Sequence, residues 1–186
     1  MTHIPHHNVR LIAVDDEPLI RATYARLFSL TRFLVNNDTF ETYNQESLLQ
    51  EKLKDTKNNT SKNVEIYSFD VIPFSSAESV LEFYAQRKED KTAHRYRMIL
   101  TDLDMGRLSG LDLLEHLEED PELPRVAAAL ITGYPKGITQ KESYFEYRNK
   151  ALPNLKKILE KPVPIHTIQK TVMQMYLDHI RDEALQ

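Results

Sequence analysis

The stretch Met98-Ile-Leu-Thr-Asp102-Leu-Asp104-Met-Gly-Arg-Leu-Ser-Gly110 decides the fold. Met98 to Leu100 is a short apolar run, the pattern of a strand buried on both faces. The run stops at an aspartate, and a turn containing Gly106 leads into the helical spacing Leu111, Leu114, Leu117. An acidic side chain at the carboxyl end of a buried strand sits where open α/β sheets keep their ligand sites. Taken alone, Asp102 reads as a turn former or helix cap. Its companions elsewhere in the chain change that reading.

The same strand-then-helix signature recurs on both sides. Val9 to Val14 reads as the first buried strand and delivers Asp15-Asp16-Glu17-Pro18. Adjacent carboxylates at a strand end repel one another unless a cation or basic group compensates, so a divalent metal site is one reading and an acid-rich helix start the other. Pro18 suits the first turn of the following helix, whose apolar stripe is Ile20, Tyr24 and Leu27 with Phe28 and Thr31 beside it. Phe69 to Phe74 is the second strand, and Ser75-Ser-Ala-Glu78 has capping-box spacing before a helix carrying Val80, Leu81 and Tyr84. Gln86 to Lys91 reads as its charged, solvated end. Asp120-Pro121 and Pro124 close the helix that follows Gly110. Val126 to Ile131 is a fourth strand ending at Thr132-Gly133, and a further helix is expected around residues 140–151. Leu155 to Leu159 is a fifth strand, delivering Glu160-Lys161-Pro162. The last helix has the stripe Ile165, Ile168, Val172, Tyr176 and His179, with His179 read as a packed edge residue.

Five β-α units imply a five-stranded parallel sheet with helices on both faces and right-handed crossovers. In that arrangement Asp15, Asp16, Asp102, Thr132 and Lys161 all fall at strand carboxyl ends, along one edge. Carboxylates there can bind Mg²⁺, which retains waters and accepts phosphate oxygens. A hydroxyl and an ammonium can hold the remaining oxygens, and a central aspartate can act as a nucleophile that forms an acyl phosphate. The alternative is an ion-pair cluster, which accounts for Lys161 but not for the acidic pair together with Asp102 and Thr132.

Length and composition agree with a single domain. The chain has 186 residues, 41% hydrophobic and 28% charged, enough for a core without staples. A net charge of -4 argues against a broadly basic nucleic-acid surface. The absence of cysteine excludes disulfides, thiol nucleophiles and thiolate metal sites. No apolar run approaches the ~20 residues that span a bilayer, so no membrane association is expected, and a cytoplasmic location is the default expectation. Residues 1–8, with three histidines, are expected to be a flexible tail, and residues 9–186 the domain. Residues 33–66 stand apart. Asn36-Asn37-Asp38 is read as ending the first helix, Asn44 to Leu53 as a short helix, and residues 54–63 as a polar loop. Either a partner-binding insertion or an inert elaboration fits.

The motifs Val14-Asp15-Asp16-Glu17-Pro18, Leu100-Thr-Asp102 with Gly110 beyond it, Leu130-Ile-Thr132-Gly133 and Lys161-Pro162, in this order, resemble the receiver domain of bacterial two-component response regulators. The resemblance spares residues 33–66 and part of 134–154. It implies a doubly wound, flavodoxin-like (βα)5 receiver fold and a phosphorylation-dependent signalling switch. By similarity Asp102 is the phosphoacceptor, Asp16 and Asp102 ligate Mg²⁺ directly, Asp15 acts through water, and the backbone carbonyl of Asp104 completes the protein ligands. Thr132 and Lys161 would sense the phosphoryl group. The implied chemistry is self-phosphotransfer and autodephosphorylation only. The implied partners are a sensor histidine kinase or phosphotransfer protein, a downstream protein target and a possible homodimer, with no direct nucleic-acid binding. No output domain follows the last helical pattern, which suits a single-domain regulator or a receiver excised from a longer protein.

The sequence departs from that family pattern at four places. Gly106 replaces a usual Pro, Ser109 a frequent Asp, and Ile158 a usual aromatic. Asp104, together with Tyr134, occupies positions that tune phosphate lifetime. Two other readings stay open. One is a phosphate-independent, receiver-like interaction module. The other is a haloacid-dehalogenase-like phosphatase using Asp102 and Asp104, against which stands the placement of the acidic pair upstream and the continuation Met-Gly-Arg.

Overall fold

Alternation within the apolar runs builds the centre of the protein. In β1 (His6–Val14), Val9, Leu11 and Ala13 face one side of the sheet, while Ile12 and Val14 face the other. In β5 (Met98–Asp102) and β6 (Ala127–Thr132) the same division separates Met98, Leu100, Ala129 and Ile131 from Ile99, Ala128 and Leu130. Both sets are buried, which is why these strands read as continuous apolar runs rather than alternating ones. On the first face lie α1 (Pro18–Ser29), through Tyr24 and Phe28, and the last helix, α5 (Ile165–Ala184), through Ile168, Val172 and Met173. On the second face lie α3 (Ala77–Ala85) and α4 (Gly110–Glu119), through Val80, Tyr84, Leu111 and Leu114. The helices on both faces complete the doubly wound arrangement expected from the sequence.

The computed structural model describes residues 4–37, 39–58, 64–87, 97–123, 125–133 and 152–184. The helix expected around residues 140–151, Tyr134, residues 59–63 of the expected polar loop and part of the charged run 86–91 lie outside them.

Among the described residues the sheet has seven strands rather than five, in the order β3-β2-β4-β1-β5-β6-β7. Five of them, β4 (Val64–Phe74), β1, β5, β6 and β7 (Leu155–Glu160), are parallel and form the expected sheet. The two additional strands come from the stretch that the sequence reading set apart. β2 (Arg32–Asn36) and β3 (Thr39–Tyr43) form an antiparallel hairpin, and β2 pairs antiparallel with the first residues of β4. The first helix therefore ends at Ser29, and Asn36-Asn37 marks a hairpin turn rather than a helix stop. Asn37 adopts a positive φ of 54°, a conformation that asparagine tolerates better than most residues. The following helix, α2 (Glu46–Asn58), continues to Asn58, beyond the Asn44 to Leu53 expected. It buries Leu49 and Leu53 against Leu34, giving the hairpin a small core of its own.

Three boundaries also move. β1 begins at His6, so residues 6–8, assigned to the tail, pair with Ile66 to Ser68. β4 begins at Val64, because Val64 to Tyr67 pair with β2 and Ile66 onwards with β1, and Val64, Ile66 and Tyr67 are themselves strand-forming residues. The cap of α3 is Ser76, whose side chain accepts from the Ser79 N–H, rather than the Ser75–Glu78 box. A capping box does occur at α4, where Ser109 and Asp112 cap each other reciprocally. Ser109, a departure from the family pattern, thereby fixes the start of the helix that follows the Asp102 loop.

Candidate functional site

The carboxyl ends of the parallel strands bring the predicted residues together. Asp15 follows β1 directly, and its backbone N–H donates to the Phe74 carbonyl at 3.2 Å, continuing the ladder one residue past the strand. Its Oδ1 accepts the Glu17 N–H at 2.9 Å, which turns the chain into α1. From α1, Arg21 reaches back and donates to the Asp15 carbonyl at 2.7 Å. The side chain of Asp15 is fully buried while Asp16 beside it is exposed. On the neighbouring strand, Asp102 is buried with its Oδ1 accepting the Leu103 N–H at 2.8 Å. Oxygens of Asp15, Asp16 and Asp102 lie within 4.8 Å of one another.

Among the described residues, one ammonium reaches this acidic group. Lys161, just past β7, donates from Nζ to Asp102 Oδ2 at 2.9 Å and stands 3.7 Å from Asp15 Oδ2. Its backbone N–H donates to the Thr132 carbonyl at 2.7 Å, so the ends of β6 and β7 are tied at the site. Thr132 is 4% exposed at the end of β6. The Asp104 side chain is exposed in the loop after β5. Ile158 lies exposed on the edge strand β7.

Among the described residues, three carboxylates at the site face one ammonium. Burial pushes the Asp15 carboxyl above its ordinary range, the Glu17 N–H and Lys161 opposing, with Asp102 and Glu17 adding to the rise. For Lys161, burial lowers the pKa, but the hydrogen bond and charge of Asp102, with Asp15 behind, outweigh it and leave the ammonium above its ordinary value. Among the described residues, Asp15 Oδ2 is enclosed without a hydrogen-bond partner, Lys161 Nζ standing 3.7 Å away. An orphaned carboxylate oxygen among three clustered carboxylates, with one partly exposed ammonium as counter-charge, fits a hard divalent cation with oxygen ligands.

Backbone shape is also specified here. Gly110, at the start of α4, packs so closely on β5 that a Cβ would fall 2.2 Å from the Asp102 carbonyl oxygen and 2.9 Å from Leu130 Cδ1. Gly106, with a φ of +63°, turns the loop between them.

No protein-family profile matches the sequence, and the search of curated proteins gives no match. Solved structures do match. A receiver domain of a response regulator from Methylobacillus flagellatus aligns over 91% of this chain and 99% of its own, with a TM-score of 0.54 at 15% identity. This chain has the receiver fold. A response regulator receiver domain from Methanospirillum hungatei gives a TM-score of 0.54 at 14% identity, over 95% of this chain and 99% of its own. A sensor protein from a Polaromonas species gives 0.53 at 17% identity, over 90% and 93%.

Within the receiver fold, the residues that sequence reasoning missed belong to the surroundings of the acidic cluster. Arg21 on α1 holds the Asp15 backbone, and the sole hint in the sequence was its place one turn into a helix that starts beside the acidic pair. The buried polar group Thr31, Asn44 and Gln169 was also missed. Gln169 Nε2 donates to Thr31 Oγ1 at 2.7 Å and to Asn44 Oδ1 at 3.2 Å, tying α5 to both ends of the added hairpin. Among the described residues, no helix is long and apolar enough to cross a membrane.

Proposed function

We propose that the protein is a phosphorylation-dependent signalling switch that accepts a phosphoryl group on Asp102. The observation that supports this best is the arrangement around that carboxylate: buried, 2.9 Å from Lys161 Nζ, and clustered with Asp15 and Asp16. Asp16 and Asp102 would ligate Mg²⁺ directly, Asp15 through water, with the Asp104 carbonyl completing the set. Bound there, the ion would neutralise charge on the transferring phosphoryl group and on the carboxylates.

The donor in this reading is a phosphohistidine on a sensor histidine kinase or phosphotransfer protein. A carboxylate oxygen of Asp102 attacks phosphorus, the P–N bond breaks, and its electron pair returns to the donor imidazole. The Leu103 N–H orients Asp102 through Oδ1 during the approach. Lys161 then exchanges its contact with Asp102 Oδ2 for a phosphoryl oxygen, and the Thr132 hydroxyl donates to another. Both residues sit where β6 and β7 end, so the new charge is read by the segments leaving those strands. The output is a protein contact rather than a reaction on a free substrate. Hydrolysis of the acyl phosphate resets the switch.

The test is intact-mass analysis of the wild type and Asp102→Asn with Mg²⁺ and acetyl phosphate, alongside beryllofluoride binding. One phosphate adduct on the wild type alone is expected. No adduct together with no beryllofluoride binding would overturn the proposal in favour of a phosphate-independent module. Multiple-turnover hydrolysis of free phosphoesters would point to a phosphatase.

A further inference from the structure

The Asp15 carbonyl accepts from Arg21 Nη1 at 2.7 Å, a contact that reaches back over the start of α1 and ends on the backbone between two adjacent carboxylates. That carbonyl and the Asp16 N–H belong to one planar peptide unit, so its direction fixes the plane from which Asp16 departs. Asp15 has two tethers besides. Its N–H donates to the Phe74 carbonyl, and its Oδ1 accepts the Glu17 N–H. The Asp15 carboxylate is therefore aimed without Arg21. Asp16 is exposed, yet an oxygen of its carboxylate falls within 4.8 Å of oxygens of Asp15 and Asp102. Among the described residues, Arg21 supplies the side-chain hydrogen bond to the peptide that carries it.

The place of Arg21 in the helix calls for an explanation. It is the fourth residue of α1, where the helix dipole disfavours a cation, and the first turn holds no acidic side chain. Glu17 lies one helical turn earlier, the usual place of an ion-pair partner, but the guanidinium hydrogen-bonds the Asp15 carbonyl instead. Helical side chains lean towards the N-terminus, which gives Arg21 its reach over the turn. Tyr24 and Phe28 bury the same helix against the sheet. Arg21 thereby ties the acidic pair to a packed element. Its partner is an uncharged carbonyl and not a carboxylate, so the contact sets direction more than it balances charge.

We propose, on the functional reading above that Asp16 and Asp102 ligate Mg²⁺, that Arg21 is a positioning residue of that site. It holds the Asp15–Asp16 peptide so that Asp16 is presented to the ion before the ion binds. Hydrogen-bond partners that orient metal ligands are worth about 10–100-fold in metal affinity. A charge effect has the opposite sign, since a cation near the site repels Mg²⁺ and its removal tightens binding.

Calorimetric titration of the full-length protein with Mg²⁺ tests this on the wild type, Arg21→Met, Arg21→Lys and Asp16→Asn. Arg21→Met keeps an unbranched stem and good helix propensity while losing the charge and the donors. It should weaken Mg²⁺ binding about tenfold. Arg21→Lys retains the charge and a donor, and its affinity should fall between those of wild type and Arg21→Met. A counter-charge role predicts the reverse, with Arg21→Met binding most tightly. Urea denaturation without Mg²⁺ separates lost affinity from lost folding, and Arg21→Met should keep a cooperative transition. If it unfolds, Arg21→Lys decides, weaker binding than wild type supporting the proposal and equal binding overturning it. Unchanged or tighter binding in a folded Arg21→Met, or Arg21→Lys binding no more tightly than Arg21→Met, would also overturn it. Asp16→Asn should lose binding in every case and reports on the functional reading separately. No Mg²⁺ binding by the wild type would overturn both.

Discussion

Replacing Gly110 with alanine should destabilise the protein through a single close approach. The added Cβ would sit 2.2 Å from the Asp102 carbonyl oxygen, against the 3.0 Å below which real Cβ contacts essentially never fall. Either α4 or the end of β5 must therefore move by about 0.8 Å. Movement of α4 is resisted because Leu111, Leu113 and Leu114 are fully buried against the sheet. Movement of β5 is resisted because the Leu103 N–H is held by the Ile131 carbonyl at 2.9 Å. Overpacking of this kind costs about 1–3 kcal/mol and occasionally more. Alanine at a helix start recovers a fraction of the ~1 kcal/mol by which it exceeds glycine in helix propensity. A net loss of about 0.5–2.5 kcal/mol follows, or roughly 1–10 °C in Tm for a chain of this size. Gly133 is the internal control, since a Cβ there meets nothing within 4 Å. Urea and thermal denaturation followed by circular dichroism would measure all three proteins. The reasoning fails if Gly110→Ala lies within about 0.5 kcal/mol of wild type, the range of an ordinary surface substitution.

Three further outcomes follow from the geometry. Mg²⁺ at ~100-fold its dissociation constant should stabilise the wild type by about 2.7 kcal/mol, or roughly 5–11 °C in Tm. A thermal shift that persists in Asp16→Asn would contradict the ligand assignment. His179→Gln should alter the pH dependence of stability. The folded-state imidazole pKa lies below its ordinary value of 6.5 because of burial, Arg97 and Lys156. The unfolded chain therefore takes up the proton first, and stability falls as pH drops from about 6.5 towards the folded-state value. Denaturation at pH 7.5 and 5 should show wild type losing more stability than the variant, and equal losses would refute the assignment. Gln169→Leu removes the donor to Thr31 and Asn44, at a cost of roughly 1–2 kcal/mol. Hydrogen exchange should quicken in β2 and β3 ahead of β1 and β5, whereas a uniform change would show that the network does not anchor the hairpin.

The sequence by itself determined the parallel core and the membership of the acidic cluster. Buried parallel strands must be apolar on both faces, so β1, β5 and β6 announce themselves as continuous runs. A polar residue that ends such a run lies at the strand's carboxyl end whatever surrounds it, which places Asp15, Asp102 and Thr132 without any coordinates. The hairpin was different. Arg32-Phe-Leu-Val-Asn36 continues the spacing of the preceding helix, and it becomes a strand because β4 offers an open edge on which to pair. The Asn36-Asn37 turn between two short aromatic-bearing runs was the local signal for it. Long-range pairing also extended β4 to Val64 and drew His6 into β1. Only the tertiary structure decided that Asp15 is buried with an orphaned oxygen while Asp16 is exposed. It likewise decided that His179, on a helix stripe with no local sign of special use, faces a cavity. Residues adjacent in the chain differ in burial because the sheet edge and the packed helices, not the local sequence, set what surrounds each side chain.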